Sequence, residues 1–168
     1  SEMLLSGRPQ HAPGTCVACI MEGTRPLLAE VQALVTKTTF NVPRRTANGF
    51  DYNRAVLLLA VLEKRGGLHL GTFDGYINVV GGLSLDEPAA DLPVALAVAS
   101  SCRDKPVAQD LAAVGEIGLA GEVRAVSHLS LRLGEIARLG FTRCIIPRSG
   151  TEAMEAPNGL ELIRVRNV

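Results

Sequence analysis

Tryptophan is absent and only 4% of the residues are aromatic, too few rings for a base-stacking platform that holds single strands. Net charge is missing too. Seventeen acidic residues stand against 17 basic ones, which excludes a strongly basic, histone-like arm. No apolar run exceeds Ala55 to Leu62, far short of the roughly 20 residues needed to span a bilayer. The opening SEMLLSGRPQ has no basic stretch followed by an apolar one, so it lacks the pattern of a signal peptide. It starts at Ser1 rather than Met, which points to a piece of a longer protein. Lysine is scarce. Apart from Lys37, Lys64 and Lys105 the bases are arginines, planar donors suited to phosphate or carboxylate.

What is present is apolar bulk. Hydrophobic residues make up 47% of 168, and charged residues 20%, a balance that favours folding over disorder. A chain of this length forms one compact domain and buries about two-thirds of its unfolded surface, enough to fold without disulfides or metal. The four cysteines include a C-x-x-C at Cys16 and Cys19, but no second C-x-x-C or H-x3-H completes a zinc set. TCVACIM reads as a strand, where residues three apart point to opposite faces. Buried structural thiols are the favoured reading, and a cytosolic setting the default.

Along the chain, the first dozen residues, with Pro9, Pro13 and Gly14, read as an arm or linker. TCVACIM and PLLAEVQALV form a hairpin across EGTR. TKTTFNVPRRTANGFD reads as a long polar loop broken by Pro43 and Asn48-Gly49. YNRAVLLLAVLEKRGG is a helix with Asp51 as its N-cap and a basic end, apolar on nearly every face and so expected between core layers. LHLGTFDGYINVVGG continues the sheet or forms a strand pair. PAADLPVALAVASSCRD is a second apolar helix, and LAAVGEIGLAGEVRAV is strand-like. SLRLGEIARLGF is an amphipathic helix, and RCIIP and LELIRVRNV are strands. The glycines at 115, 118 and 121 are spaced G-x-x-G-x-x-G, which is not the dinucleotide fingerprint. Strands before and between helices give an α/β (α+β) class.

Three stretches carry a resemblance: EVQALV at 30–35, RRTANGFDYNR at 44–54, and GEIGLAGEVRAV at 115–126 followed by a helix. Together they resemble the carboxy-terminal domain of the bacterial RadA (Sms) family of RecA-like DNA-repair ATPases, a domain similar to the proteolytic domain of Lon. The resemblance covers essentially the whole chain; RRTANGFDYNR is its most specific part. It implies a Lon-protease-like domain of the ribosomal-protein-like βαβ superfamily, a mixed sheet packed with helices, over residues 14–168. Residues 1–13 would then be the arm from a preceding ATPase domain. It also implies assembly into hexameric rings, a cytoplasmic location, and action with RecA through the full-length protein. ATP and zinc would belong to other domains, since no G-x4-G-K-[ST] loop occurs here; this domain itself is expected to need no cofactor or metal.

The resemblance also locates a protease dyad and shows it changed. The Lon-type Ser maps to Ala89, in Pro88-Ala89-Ala90-Asp91, and a methyl group cannot form an acyl intermediate. The Lon-type Lys maps to Arg132, which stays protonated and cannot act as base. Either loss is severe, because the dyad acts as a unit. Ser100, Ser101, Ser127, Ser130, Lys105, His69 and His128 form no substitute pattern and read as satisfied core or surface groups. Arg132 is expected to pair with Asp91 across the old cleft, or with Glu135 on its own helix. No catalytic residue is therefore assigned.

Charge distribution suggests another task. Lys37 to Arg65 holds six bases and two acids, while Gly81 to Glu122 holds seven acids and two bases. The candidate DNA contacts are Arg44, Arg45, Arg54, Lys64 and Arg65, acting on phosphates of duplex DNA with little base readout. Each has a competing structural use. Arg44 and Arg45 could lie in a solvated loop or meet acids of a neighbouring subunit. Arg54 could form an ion pair, and Lys64 and Arg65 could complement a helix dipole. The alternatives to a DNA-binding ring are a purely structural hexameric scaffold and, last, a residual serine peptidase.

Overall fold

The computed structural model describes residues 1–168. Its frame is a seven-stranded mixed sheet in the order β3-β4-β2-β1-β5-β8-β9. The strands are β1 (Thr15–Glu22), β2 (Arg25–Lys37), β3 (Arg45–Asn48), β4 (Phe73–Val79), β5 (Leu111–Ala113), β8 (Arg143–Pro147) and β9 (Glu161–Val165). A separate small hairpin pairs β6 (Glu116–Ile117) with β7 (Val123–Arg124). The helices are α1 (Glu2–Leu5), α2 (Tyr52–Gly66), α3 (Asp91–Arg103) and α4 (Leu129–Arg138). The mixed α/β class drawn from the order of apolar runs is the class of the fold.

The sheet grows from the β1–β2 hairpin, whose register runs from Thr15 opposite Gln32 to Glu22 opposite Arg25. β1 is apolar at nearly every position because both its faces are covered. Cys16, Ala18 and Ile20 point into one core layer, with Val31 and Ile77 of the sheet and Leu58, Leu62, Val94 and Val98 of α2 and α3. Val17 and Cys19 point into the other, with Leu28, Cys144 and Ile146 of the sheet and Leu129, Leu133 and Ile136 of α4. The result is three layers, helices α2 and α3 on one face and α4 on the other.

Local chemistry explains the helix ends. The Asp51 carboxylate accepts from the Arg54 amide at 2.9 Å, the N-cap that its position predicts. Gly67 closes α2 in the left-handed region at φ 73°, and Lys64 and Arg65 occupy the last turn. α3 follows a short 3-10 turn, Pro88–Ala90, and tolerates Pro93 because it lies in the first turn.

Several local expectations are corrected. The polar stretch after Thr36 is not one loop: β2 runs on to Lys37, and Arg45–Asn48 forms β3, parallel to β4. Of the two readings of LHLGTFDGYINVVGG, the continued sheet holds: it supplies one strand, β4, between β2 and β3. LAAVGEIGLAGEVRAV breaks into β5 and the β6–β7 hairpin, whose turn between Gly118 and Gly121 needs the left-handed backbone of Gly121 at φ 83°. Helix α2 is not enclosed: Tyr52, Val56 and Leu57 face solvent. The amino-terminal arm lies against the body, with Ser1 Oγ accepting from the Leu28 amide at 3.0 Å and donating to Glu135 at 2.9 Å. No helix is long and apolar enough to cross a membrane.

Candidate functional site

A cleft lies between the amino end of α2 and the start of α3. Phe50, Asp51, Arg54, Asp86, Glu87 and Glu116 are among the residues lining its cavity of about 430 Å³. Ala89 does not open onto it. The residue is buried in the 3-10 turn, and its carbonyl accepts from the Gly115 amide at 3.1 Å, which ties the turn to the segment entering β6.

Arg132 projects from the first turn of α4 and is buried. Its Nε donates to the Ser127 carbonyl and its Nη1 to the Cys19 carbonyl, both at 2.8 Å. Nη1 also forms an ion pair with Glu87. The other Glu87 oxygen accepts from the Met21 amide at 2.9 Å. Thus Arg132 and the turn carrying Ala89 do meet, through Glu87 two residues before Ala89. The partners expected from sequence, Asp91 and Glu135, are both taken elsewhere. Arg138 and Ser1 hold Glu135, and pull its carboxyl below the usual carboxylate range, Arg138 most strongly. Glu87 is hard to find in sequence, since the strand amide that completes its placement lies 66 residues away.

Asp91 is fully buried and pairs with Arg54. It also accepts from the Ile117 amide at 3.0 Å, while Arg54 Nη2 donates to the Ile117 carbonyl at 2.7 Å. The Asp91 hydrogen bond leads the upward shift of the Arg54 pKa. Two arginine–carboxylate pairs, Arg54–Asp91 lining the cleft and Arg132–Glu87 reaching it through Glu87, therefore pin α2, α3, α4 and the β6–β7 hairpin together. The two serines farther along α3 are also engaged. Ser100 Oγ accepts from Gly14 N at 2.8 Å and donates to the Lys105 carbonyl at 2.6 Å; Ser101 Oγ accepts from Val35 N at 2.9 Å.

The thiols are structural in geometry. Burial pushes Cys16 and Cys19 each up to about 12, and raises Cys144 further. Cys16 and Cys19 face different core layers, as the strand period requires.

The five candidate DNA contacts separate into two groups. Arg45 turns inward and donates to the Leu70 carbonyl at 3.0 Å and to Phe73. Arg54 is committed to Asp91. Arg44, Lys64 and Arg65 are exposed and form no side-chain ion pair, although the buried Asp74 carboxylate accepts from the Arg44 amide at 2.7 Å. Arg44 stacks over the Phe40 ring at 3.8 Å. These three lie at one end of the molecule, where the finish of α2 meets the start of β3: Arg45 reaches Leu70, whose amide in turn donates to Glu63 of α2 at 2.8 Å. Lys37 ends β2 opposite Phe73 at the same end. No run of spacing along the chain announces this gathering.

Fold and cleft together define a class, a three-layer mixed α/β domain in which two arginine–carboxylate pairs bracket the turn that buries Ala89. Along its whole length the chain matches a domain of the DNA repair protein RadA. It is 49% identical over 168 residues to RadA of Bacillus subtilis, 48% to RadA of Streptococcus pyogenes serotype M6, and 47% to RadA of Streptococcus pneumoniae. All of this chain is covered in each case, but it spans only 37%, 37% and 40% of those proteins respectively. A family model described as subunit ChlI of Mg-chelatase also matches residues 76–150.

Proposed function

We propose that this domain serves in DNA repair as a non-proteolytic, self-assembling module that holds duplex DNA without reading its sequence. The observation that carries the reading is the basic end of the molecule, where Arg44, Lys64 and Arg65 are exposed and in no side-chain ion pair, with the one buried carboxylate beside them, Asp74, accepting from the Arg44 amide at 2.7 Å. Phosphate attraction depends on such a local field, not on net charge. The turn before α3 supports the non-proteolytic half, because Ala89 is buried and offers no nucleophile and the Arg132 guanidinium is held by Glu87 and two carbonyls. Arg45 and Arg54 keep the scaffold in shape instead of reaching outward.

In a longer, cytoplasmic protein this module would lie beside an ATPase motor and act with RecA. In a homo-hexamer, each weak contact would be repeated around a ring and would add through effective concentration. Fluorescence anisotropy of a labelled duplex, across a series of salt concentrations, tests the reading. Binding should weaken steeply with salt, and Lys64→Glu with Arg65→Glu should lower the log–log slope by about 0.9 per lost phosphate contact. A chain that assembles but leaves the duplex unbound at low salt is a scaffold, and the DNA reading then fails.

A further inference from the structure

The β6–β7 hairpin stands outside the main sheet, with strands of only two residues each. A hairpin that short is not stable alone in water. Four contacts hold it. The Asp91 carboxylate accepts from the Ile117 amide at 3.0 Å, and Arg54 donates to the Ile117 carbonyl at 2.7 Å. On the other side, the Val123 amide donates to the Arg166 carbonyl and the Val168 amide to the Gly121 carbonyl, both at 2.9 Å. The turn is also closed from within. The Gly118 amide donates to the Glu122 carbonyl and the Gly121 amide to the Gly118 carbonyl, both at 2.9 Å. The Glu122 carboxylate folds back to accept from the Ala120 amide at 3.1 Å. A buried ion pair and the last strand thus fix one small turn, Gly118–Gly121.

What the turn carries outward is apolar. Leu119 is 67% exposed, and Ala120 beside it is exposed as well. A lone exposed leucine is ordinary on a protein surface. This one is held out on a braced turn, with arginines alongside. The Arg65 side chain lies against the turn, so that a Cβ on Gly121 would be 3.0 Å from the Arg65 Cβ. Arg124, Arg148 and Arg166, all exposed, line the cavity at the foot of the hairpin. Arg65, Arg148 and Arg166 form no ion pair, whereas Arg124 is tied to Glu122 at 2.9 Å. Glu116 and Glu152 share that cavity, which leaves the Arg65 side of the turn as the more basic one.

We propose that Leu119 is a wedge: the duplex seats on the Arg65 side of the turn, and the leucine enters between two base pairs and unstacks them. An isobutyl group makes no hydrogen bond and so reads no base. It replaces the stacking contact that the opened step loses, while the arginine beside it holds the phosphates. Insertion costs least where stacking or pairing is already weakened, so a mismatched step is taken before an intact one. The brace matters because a loose turn would fold Leu119 back onto the protein instead of driving it into the stack. This rests on the DNA half of the reading above, and adds a preference for weakened duplex that phosphate contacts alone do not give.

The test compares two labelled duplexes of equal length, one fully paired and one with a central mismatch, by fluorescence anisotropy at low salt. A 2-aminopurine beside the mismatch reports unstacking by brightening. The wild type should bind the mismatched duplex roughly tenfold more tightly than the paired one, and should brighten the probe. Leu119→Ala should bind the paired duplex within about twofold of the wild type and lose both the preference and the brightening. Leu119→Met, apolar and of similar volume, should keep both. Circular dichroism melts of the variants confirm that each is folded. Equal wild-type affinity for the two duplexes, no brightening, or a preference that survives in Leu119→Ala overturns the wedge and leaves the DNA reading standing. An equal loss of both duplexes in folded Leu119→Ala overturns the wedge too, since the leucine is then a general contact. No binding of either duplex by the wild type overturns the DNA reading and the wedge together.

Discussion

At the scale of single residues, the arginines decide more than the net charge does. Arg132 is buried with a carboxylate and two carbonyls around it, and removing the guanidinium leaves all three short of a donor. Arg132→Met should therefore cost about 3 kcal/mol in urea unfolding, and Arg132→Lys should recover only part of it, since a point charge cannot fork to three acceptors. Asp110 shows a surface pair acting through pH. Arg143, then Thr142, draws its carboxyl down to about 2 from an ordinary 3.8. A depressed folded pKa contributes stability above the unfolded value and loses it as pH falls toward the folded one. Thermal melts should thus show the acid limb between about pH 4 and pH 2 becoming shallower in Asp110→Asn, with a lower melting temperature at neutral pH.

At the scale of elements, β3 and α2 show where local pattern and tertiary context part. β3 alternates Arg45 and Ala47 with the exposed Thr46 and Asn48, so nothing in it looks like a buried strand. Its pairing with β4 comes from a partner about 30 residues later. Between β3 and α2 the chain reverses at Gly49, at φ 79°. A Cβ there would lie 2.7 Å from the Val79 Cβ and closer still to the Leu83 carbonyl. Gly49→Ala should destabilise the fold by at least about 2 kcal/mol in denaturant titration, where the same change in an open surface turn costs less. Helix α2 keeps its predicted cap and end, yet its outer face, with Tyr52, Val56 and Leu57, is left in solvent. Periodicity reports how apolar a face is, not whether this chain alone covers it.

At the scale of the whole molecule, the sheet separates two cores, and the thiols report on both. Cys16 lies in one layer and Cys19 and Cys144 in the other, while Cys102 is only half-buried. A water-soluble disulfide reagent should titrate one thiol quickly in the native state. The other three should react together, at the rate of global opening. Three fast thiols would mean that one layer opens independently. The same architecture gathers Lys37, Arg44, Lys64 and Arg65 at one end while the half-buried Arg45 and Arg54 are engaged within the frame.

The residues alone determined the α/β class, the β1–β2 hairpin, the capped helix from Asp51 and the opposite facing of Cys16 and Cys19, because each is set by spacing or by side-chain chemistry within a few positions. Only the tertiary structure decided that Glu87, not Asp91 or Glu135, holds Arg132, that Asp91 belongs to Arg54, and which of the basic side chains remain free. A guanidinium takes whichever acceptors the packed elements place within reach. In this fold those acceptors come from β1, from the turn before α3 and from the β6–β7 hairpin, segments that meet only once the sheet is complete.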